Sequence, residues 1–479
     1  MEGGFILAWL EVQNRGVLYP MEPIYIEKWM HERIRRLAEI DPDFKHFMDG
    51  NDLILISRAD IDRYHLYKLK QMLAYVQENS AYYRRLFNQT GVSVDQVDSL
   101  SDFAKLPFTN PSDFAENPYH FVCVSLSDVE RVTTFTTSGT TGPEKRIFFT
   151  KEDLECMTDF MAVGIRAVAD ENDVIQIMLP SGIINDQTDL LSQGIRKMGA
   201  RPVASGIMPD AEKQLRTMRE ENTSVLFGVV NSVYRVTQQG RLTNDLRKFG
   251  IKALFLTSEY LSESMRKQLQ EMWGCRVHIH YGLTEMGLGV AVECEARSGF
   301  HYNEADLYVE IVNPETGELV EDGEEGELVF TALSFKGTPL IRYRTHDIAR
   351  FSTQACECGA VTLRKFSNVA KRLEAMVEIG DHVTLYPSYF DELLCADPNV
   401  IDFQVVVQKE GTQENILVKV EAIQSNEQDA EAIRQRMLAD PIINHIVLED
   451  RAAKLKIEFV RPGELLILSR AKRLIIDER

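Results

Sequence analysis

Thr136-Thr137-Ser138-Gly139-Thr140-Thr141-Gly142-Pro143-Glu144-Lys145-Arg146 concentrates hydroxyls, glycines and a lysine in one short run. A loop of this composition suits a phosphate chain. Gly139 and Gly142 let backbone N–H groups turn toward an anion. Ser138, Thr140 and Thr141 add neutral donors that rotate to fit, and Lys145 adds a point charge. The order G-x-x-G-x-x-K, with hydroxyls ahead of it, is not the G-x-x-x-x-G-K-[ST] of mononucleotide-binding NTPases. A solvated Ser/Thr/Gly turn is the plain alternative; the hydroxyl density and the closing lysine favour phosphate.

Downstream of this loop, to about residue 290, short apolar runs alternate with charged, helix-like stretches. Val174–Leu179, Val225–Val230 and Ala253–Leu256 read as buried strands, and 211–220 and 262–272 as helices between them. That alternation predicts a parallel sheet with crossovers. Between 300 and 352 the pattern turns to short strands and turns, with Asn313–Glu318 as a turn and Glu327–Phe330 as a strand. The tail reads strand–helix–strand–strand–helix–strand, with strands at 402–408, 416–422 and 455–460 and helices at 388–396 and 427–438. Upstream, Leu66, Leu69, Met72, Leu73 and Val76 space a helix within 62–90, and residues 1 to about 60 form an extension of mixed pattern. The predicted fold is α/β. A large N-terminal domain (62–372) carries parallel-rich sheets and a β-rich subdomain, and a small α+β lid (373–479) follows it.

The 479 residues fit about two to four domains. Asp and Glu total 73 against 53 Lys and Arg, a net charge of −20. So acidic a surface argues against nucleic acid or an anionic membrane as partner, but not against ATP in a locally positive loop. Seven cysteines, an odd number with no signal peptide before them, predict a reducing, cytoplasmic setting. Phe5–Leu10 is too short for a membrane span. It is a packed arm, or the protein begins at Met21.

Two further segments carry chemistry. Tyr281-Gly282-Leu283-Thr284-Glu285 follows the strand-like Arg276–His280, where open α/β sheets bind ligands. A carboxylate there can hold Mg²⁺ against phosphate; a surface turn is the default reading. Ile341-Arg342-Tyr343-Arg344-Thr345-His346-Asp347 offers an aspartate for ribose hydroxyls and an arginine for phosphate, or equally a structural salt-bridge cluster. Cys294, His301, Cys356 and Cys358 supply a closed Cys₃His set, the chemistry of structural zinc. Unrelated cysteines in a core are the alternative. The remaining cysteines (123, 156, 275, 395) are scattered, which favours the site.

In this order the three segments resemble the acyl-adenylate-forming superfamily, from about residue 62 to the C-terminus. Tyr82-Tyr83-Arg84, Leu106–Thr109, Glu285-Met286-Gly287, Glu293-Cys294 and Pro339–Arg344 resemble its phenylacetate–CoA ligase branch. The resemblance implies that a carboxylate attacks the α-phosphate of MgATP to give acyl-AMP, and that a thiol, CoA, then takes the acyl group. It implies that Ser138 to Lys145, including Gly139, Thr140, Thr141 and Gly142, hold the β- and γ-phosphates. Ser258-Glu259-Tyr260 corresponds to the adenine segment. Tyr281 and Gly282 flank adenine, Thr284 touches the α-phosphate and Glu285 holds Mg²⁺. Asp347 takes the ribose hydroxyls, with Arg364 and Arg372 near the ribose and hinge.

The chain departs from that pattern. Arg470 stands on the family's bridging lysine, with Lys472 as a substitute if the strand shifts, and arginine keeps charge but not shape. The hinge carboxylate becomes Glu374, and His346 replaces a glycine. Asn185, Asp186 and Gln187 can recognise a polar group on the acid or form a solvated loop. Phe227 and Val229 can wall an apolar acid pocket or belong to a plain core strand. The expected partners are a small carboxylic acid, aromatic by resemblance, and CoA, in a monomer or homodimer. Transfer to an amine or carrier protein, and a non-catalytic adenylate binder, are the competing readings.

Overall fold

The computed structural model describes residues 24–49, 53–135, 144–207, 210–380, 383–411, 413–449, 453–465 and 473–479. Ser138, Gly139, Thr140, Thr141, Gly142, Arg470 and Lys472 lie outside the described residues.

The core of the large domain is a sheet running Lys365–Phe366, Phe300–Tyr302, Ala291–Glu293, Arg276–Tyr281, Ala253–Thr257, Val225–Val229, Val174–Met178, Arg201–Ala204. The last five strands are parallel. Helices Ala211–Glu221, Val230–Gly240 and Glu263–Trp273 make crossovers. Every residue of Val225–Val229 and Ala253–Thr257 is buried, which is why these strands read as unbroken apolar runs. Their C-terminal ends, together with that of Arg276–Tyr281, open on one crevice.

A second, antiparallel sheet is ordered Leu307–Val312, Gly326–Ala332, Tyr343–Ala349, Lys371–Arg372. It carries Asp347 toward the same crevice. The antiparallel hairpin Val129–Phe135 and Lys145–Thr150 leads into and out of the 136–143 loop.

Two differences from the sequence reading have clear causes. The helix expected across 62–90 is two helices, Arg58–Asn79 and Ala81–Thr90. Ser80 ends the first, and its Oγ accepts the Tyr83 N–H to start the second. The segment before residue 62 contributes a helix, Tyr25–Ile40, whose Ile26, Met30 and Ile34 stripe is buried. Its buried Glu27 accepts from the backbone N–H groups of Val361 and Thr362 at 2.9 and 2.6 Å, and Arg33 pairs with Asp306 at 2.8 Å. The segment is thus joined to the body by core packing and by charged contacts far along the chain.

The C-terminal part packs helices Pro387–Leu394 and Glu427–Leu438 beside a sheet ordered Ala453–Phe459, Gln413–Ala422, Val400–Glu410, Ile475–Asp477. It docks on the large domain through charge. Arg235 of the helix Val230–Gly240 grips Glu421 at 2.5 and 3.0 Å and Asp402 at 2.9 Å. Within the C-terminal part itself, Arg473 lies 2.8 Å from Asp402 and 3.2 Å from Asp391, its guanidinium 3.8 Å over Phe403. Among the described residues no helix is long and apolar enough to cross a membrane.

Candidate active site

Lys145 begins the strand that leaves the Ser/Thr/Gly loop, and Glu285 lies in the turn Thr284–Met286 beyond Arg276–Tyr281. The two meet at 3.2 Å, both buried. Tyr343 completes the cluster: Lys145 Nζ donates to its oxygen at 2.8 Å, and its O–H donates to Glu285 Oε1 at 2.7 Å. Burial, then Glu285, raises the Tyr343 phenol well above its ordinary range, so it remains a donor. These bonds use Oε1 of Glu285 and leave Oε2 outside them. Thr284 is half-buried beside it.

A second cluster is built across the two sheets. Tyr281 donates to Asp347 Oδ2 at 2.5 Å, and Arg372 Nε lies 3.2 Å from Asp347 Oδ1. Burial, then Asp347, keeps the Tyr281 hydroxyl protonated. The neighbouring arginines serve structure. Arg342 pairs with buried Glu310 at 3.0 Å and stacks 4.0 Å over Phe108, while Arg344 pairs with Glu327. His346 adopts a φ of +61°, the region a glycine suits. Its backbone N–H donates to Glu327 at 2.9 Å, and its Nδ1 lies 2.9 Å from Glu374.

Between these groups and the C-terminal part lies an open cavity lined by Ser258, Glu259, Tyr260, Tyr281, Gly282 and Arg372. A Cβ on Gly282 would sit 2.6 Å from the Leu288 carbonyl oxygen, so only glycine fits there. Glu259 accepts from the Asn231 backbone and side-chain N–H groups at 3.1 and 2.8 Å. Enclosure raises its carboxyl to about 8, against the opposing pull of Arg473. Asp391 from the C-terminal part is likewise raised by burial to about 7. Tyr260 donates to Glu392 of that part at 3.1 Å.

The expected placement differs for Arg364. Its guanidinium pairs with Asp322 and lies 3.6 Å over Phe351, outside the cavity lining. Its backbone carbonyl instead accepts from His301 Nδ1 at 3.1 Å.

A second cavity is lined by Phe160, Met161, Leu191, Phe227, Phe255 and Val292, with Gln187 and His280 as its polar side chains. Trp29 of the N-terminal helix stands 5.8 Å behind Phe160. Of the loop residues, Asp186 is used in turns and caps. It accepts from the N–H groups of Gly182, Ile183 and Asp189 at 2.8 to 3.0 Å. Asn185 donates its N–H to Asp189 at 2.8 Å, so of the three polar loop residues only Gln187 faces the cavity. Asn231, Asp391, Arg473 and His280 were not expected as site residues; each comes from an element whose own pattern reads as plain helix, strand or tail.

Cys294, His301, Cys356 and Cys358 place their ligand atoms within 4.8 Å of one another. Cys294 Sγ is 3.4 Å from Cys356 Sγ, and Cys358 Sγ is 3.4 Å from His301 Nε2. A tetrahedron with Zn–S of about 2.3 Å has edges of this order. Because Arg364 O only accepts, His301 Nδ1 carries the proton and Nε2 faces the thiols.

Comparison with known proteins identifies the family. A family model described as AMP-binding enzyme matches residues 77–334, and one described as AMP-binding enzyme C-terminal domain matches 382–479. The chain belongs to the AMP-binding enzyme family. It is 32% identical over 375 residues to the phenylacetate-coenzyme A ligase of Aromatoleum evansii, covering 76% of this chain and 82% of that one. To the phenylacetate-coenzyme A ligase of Thermus thermophilus it is 31% identical over 408 residues, covering 81% and 88%. Its fold matches a 2-hydroxyisobutyryl-CoA ligase in the postadenylation state with TM-score 0.76 at 19% identity, covering 88% and 91%. The family's reaction, ATP-dependent activation of a carboxylic acid to acyl-AMP followed by thioester formation with CoA, is this chain's activity.

Proposed function

We propose that the acid is an aromatic or similarly apolar monocarboxylate. The second, apolar cavity carries this reading, because its lining holds no Asp, Glu, Lys or Arg among the described residues. A second carboxylate or an ammonium buried there would lack a counter-charge. Adenylation joins the carboxylate oxygen to the α-phosphorus and releases pyrophosphate; the CoA thiol then attacks the acyl carbon, and AMP and a proton leave.

In this reading the chain's own groups position and neutralise. Glu285 Oε2 would hold Mg²⁺, which supplies positive charge against the phosphates. Lys145 sits on the same carboxylate, ready to exchange that contact for phosphate oxygen. Asp347 takes the ribose hydroxyls as Tyr281 and Arg372 hold its carboxylate, and Gly282 lets adenine lie close to the backbone.

Pyrophosphate release over a panel of acids tests this. Arylacetates and benzoates should be turned over at least tenfold better than dicarboxylates or amino acids of similar length; the reverse order defeats the reading. Pyrophosphate release without CoA consumption would identify an amine or carrier as acceptor.

The Cys294–His301–Cys356–Cys358 cluster is proposed to hold a structural zinc, closed by four protein ligands. It would join the strand Phe300–Tyr302 to the 356–358 turn, a few residues before the Val361 and Thr362 N–H groups that Glu27 holds. Purified protein should contain about one equivalent of zinc. Its removal by chelation should lower Tm without changing the acid preference, and protein folded fully without metal contradicts the assignment.

A further inference from the structure

His280 is the residue, among those described, that lines both cavities. It stands at the C-terminal end of Arg276–Tyr281, beside the rings of Phe227 and Phe255, whose centroids lie 6.2 and 5.9 Å away in tilted and edge-on contacts. One ring nitrogen is fixed: Nδ1 is 3.1 Å from the hydroxyl of buried Thr257 on the adjacent parallel strand. The Thr257 O–H, free to rotate, can donate to Nδ1 and leave the ring proton on Nε2.

The other edge is left open by glycines. A Cβ on Gly289 would come 3.6 Å from His280 Nε2, and one on Gly282 would come 3.2 Å from Cε1. Nε2 makes no hydrogen bond among the described residues, and it is not sealed from the cavities. A neutral donor is therefore held at the one place where the apolar cavity meets the nucleotide cavity.

We propose that His280 receives the substrate carboxylate at this junction, Nε2–H donating to one carboxylate oxygen and directing the other toward the α-phosphate. The assignment rests on the acid occupying the apolar cavity. The acid's ring then points away from the nucleotide, and Thr257 acts as a positioning residue through Nδ1. Burial keeps this imidazole neutral, its titration pushed down to about 4 with no charged group contributing. A neutral donor orients a carboxylate without capturing it in an ion pair that would oppose its attack on phosphorus.

The experiment compares His280→Phe, His280→Gln and Thr257→Val with the native enzyme, measuring KM for phenylacetate and for ATP by pyrophosphate release. His280→Phe should raise the acid KM about 10- to 100-fold, the scale of a hydrogen bond to a charged group. Its ATP KM should stay within about twofold. His280→Gln, which keeps an N–H donor, should recover most of the loss, and Thr257→Val should show part of it. Acid affinity of the native enzyme should stay flat from pH 8 to 6. A rise in affinity as the pH falls would show a cationic imidazole and overturn the neutral-donor role. An unchanged acid KM in His280→Phe, or an equal rise in the ATP KM, overturns the proposal. Phe227→Ala separates the two readings. If it leaves the order of preferred acids unchanged while His280→Phe raises the acid KM, the cavity assignment fails and His280 stands; the opposite pattern retains the cavity and removes His280.

Discussion

The candidate site has two unlike walls. The wall made by the large domain is balanced charge for charge: Lys145 with Glu285 and Arg372 with Asp347. The wall shared with the C-terminal part is not. There Glu259, Asp391, Asp402 and Glu421 crowd around Arg235 and Arg473, four carboxyls for two guanidiniums. A balanced buried pair breaks only at high cost, so it fixes geometry. An acid-rich interface has carboxyls that prefer to keep their protons, so its strength depends on the state of the solution. In the proposed function the first wall holds the nucleotide in place, and we infer that the second is the one released and remade when the small domain changes position.

Glu285→Gln probes the balanced wall and carries the largest expected effect. It leaves Lys145 and Tyr343 with a neutral partner and takes the negative charge from the proposed Mg²⁺ ligand. Adenylation should fall about 10³-fold, near 4 kcal/mol of barrier, with the fold intact by circular dichroism. Turnover within about threefold of native, which corresponds to less than 1 kcal/mol, would remove Glu285 from the chemistry.

Arg235→Leu probes the other wall. It strands Glu421, which is fully buried, and half of Asp402's partners. Breaking a buried pair from one side costs about 3–5 kcal/mol. The C-terminal part should undock at lower denaturant than in the native protein, detected by limited proteolysis near residues 373–382. Arg235→Leu with Glu421→Leu should recover most of that loss, because an apolar replacement of both partners is close to neutral. No recovery would mean that the pair does more than compensate its own burial.

The pH dependence follows from the raised carboxyls. Glu259 titrates near 8 and Asp391 near 7 when docked, and both return to the ordinary carboxylate range when exposed to water. The docked state thus binds more protons between about pH 4 and pH 8. The stabilisation is complete at the acid end and is lost as the pH rises through these values. Docking should be tighter at pH 6 than at pH 9, with Glu259→Gln flattening the dependence. Tightening toward pH 9 would show that the arginines dominate the interface.

The two walls also differ in how plainly the chain announces them. Buried parallel strands such as Val225–Val229 show as apolar runs, and Glu285 and Asp347 stand in short segments whose order carries the resemblance. The two helices around Ser80 read as one, because no Gly or Pro separates them and a single serine serves as both caps. Arg342 and Arg344 read equally as phosphate ligands or as a salt-bridge cluster, and the sheet aims them at Glu310 and Glu327. The interface is hidden more deeply: Arg235 meets Glu421 186 positions away, across two elements with unremarkable patterns of their own. His280 is one residue of a regular strand, and only the topology puts it between two cavities.

His346 links the two walls and carries the smallest expected effect. A non-glycine residue at φ +61° costs on the order of 1 kcal/mol, so His346→Gly relieves strain in the folded state. The same change gives glycine more freedom when unfolded, which offsets part of the gain, and it deletes the contact between Nδ1 and Glu374. A partly exposed pair of this kind contributes about 0.2–1 kcal/mol. The terms oppose one another, so Tm should move by no more than a few degrees. The rates should separate instead: adenylation within about twofold of native, and thioester formation changed more, because Glu374 lies just before the C-terminal part. These rates are read by pyrophosphate release and CoA consumption in the same preparation. Equal changes in both would assign His346 to the fixed wall with Asp347, whereas a change confined to the thioester step places it with the interface that moves.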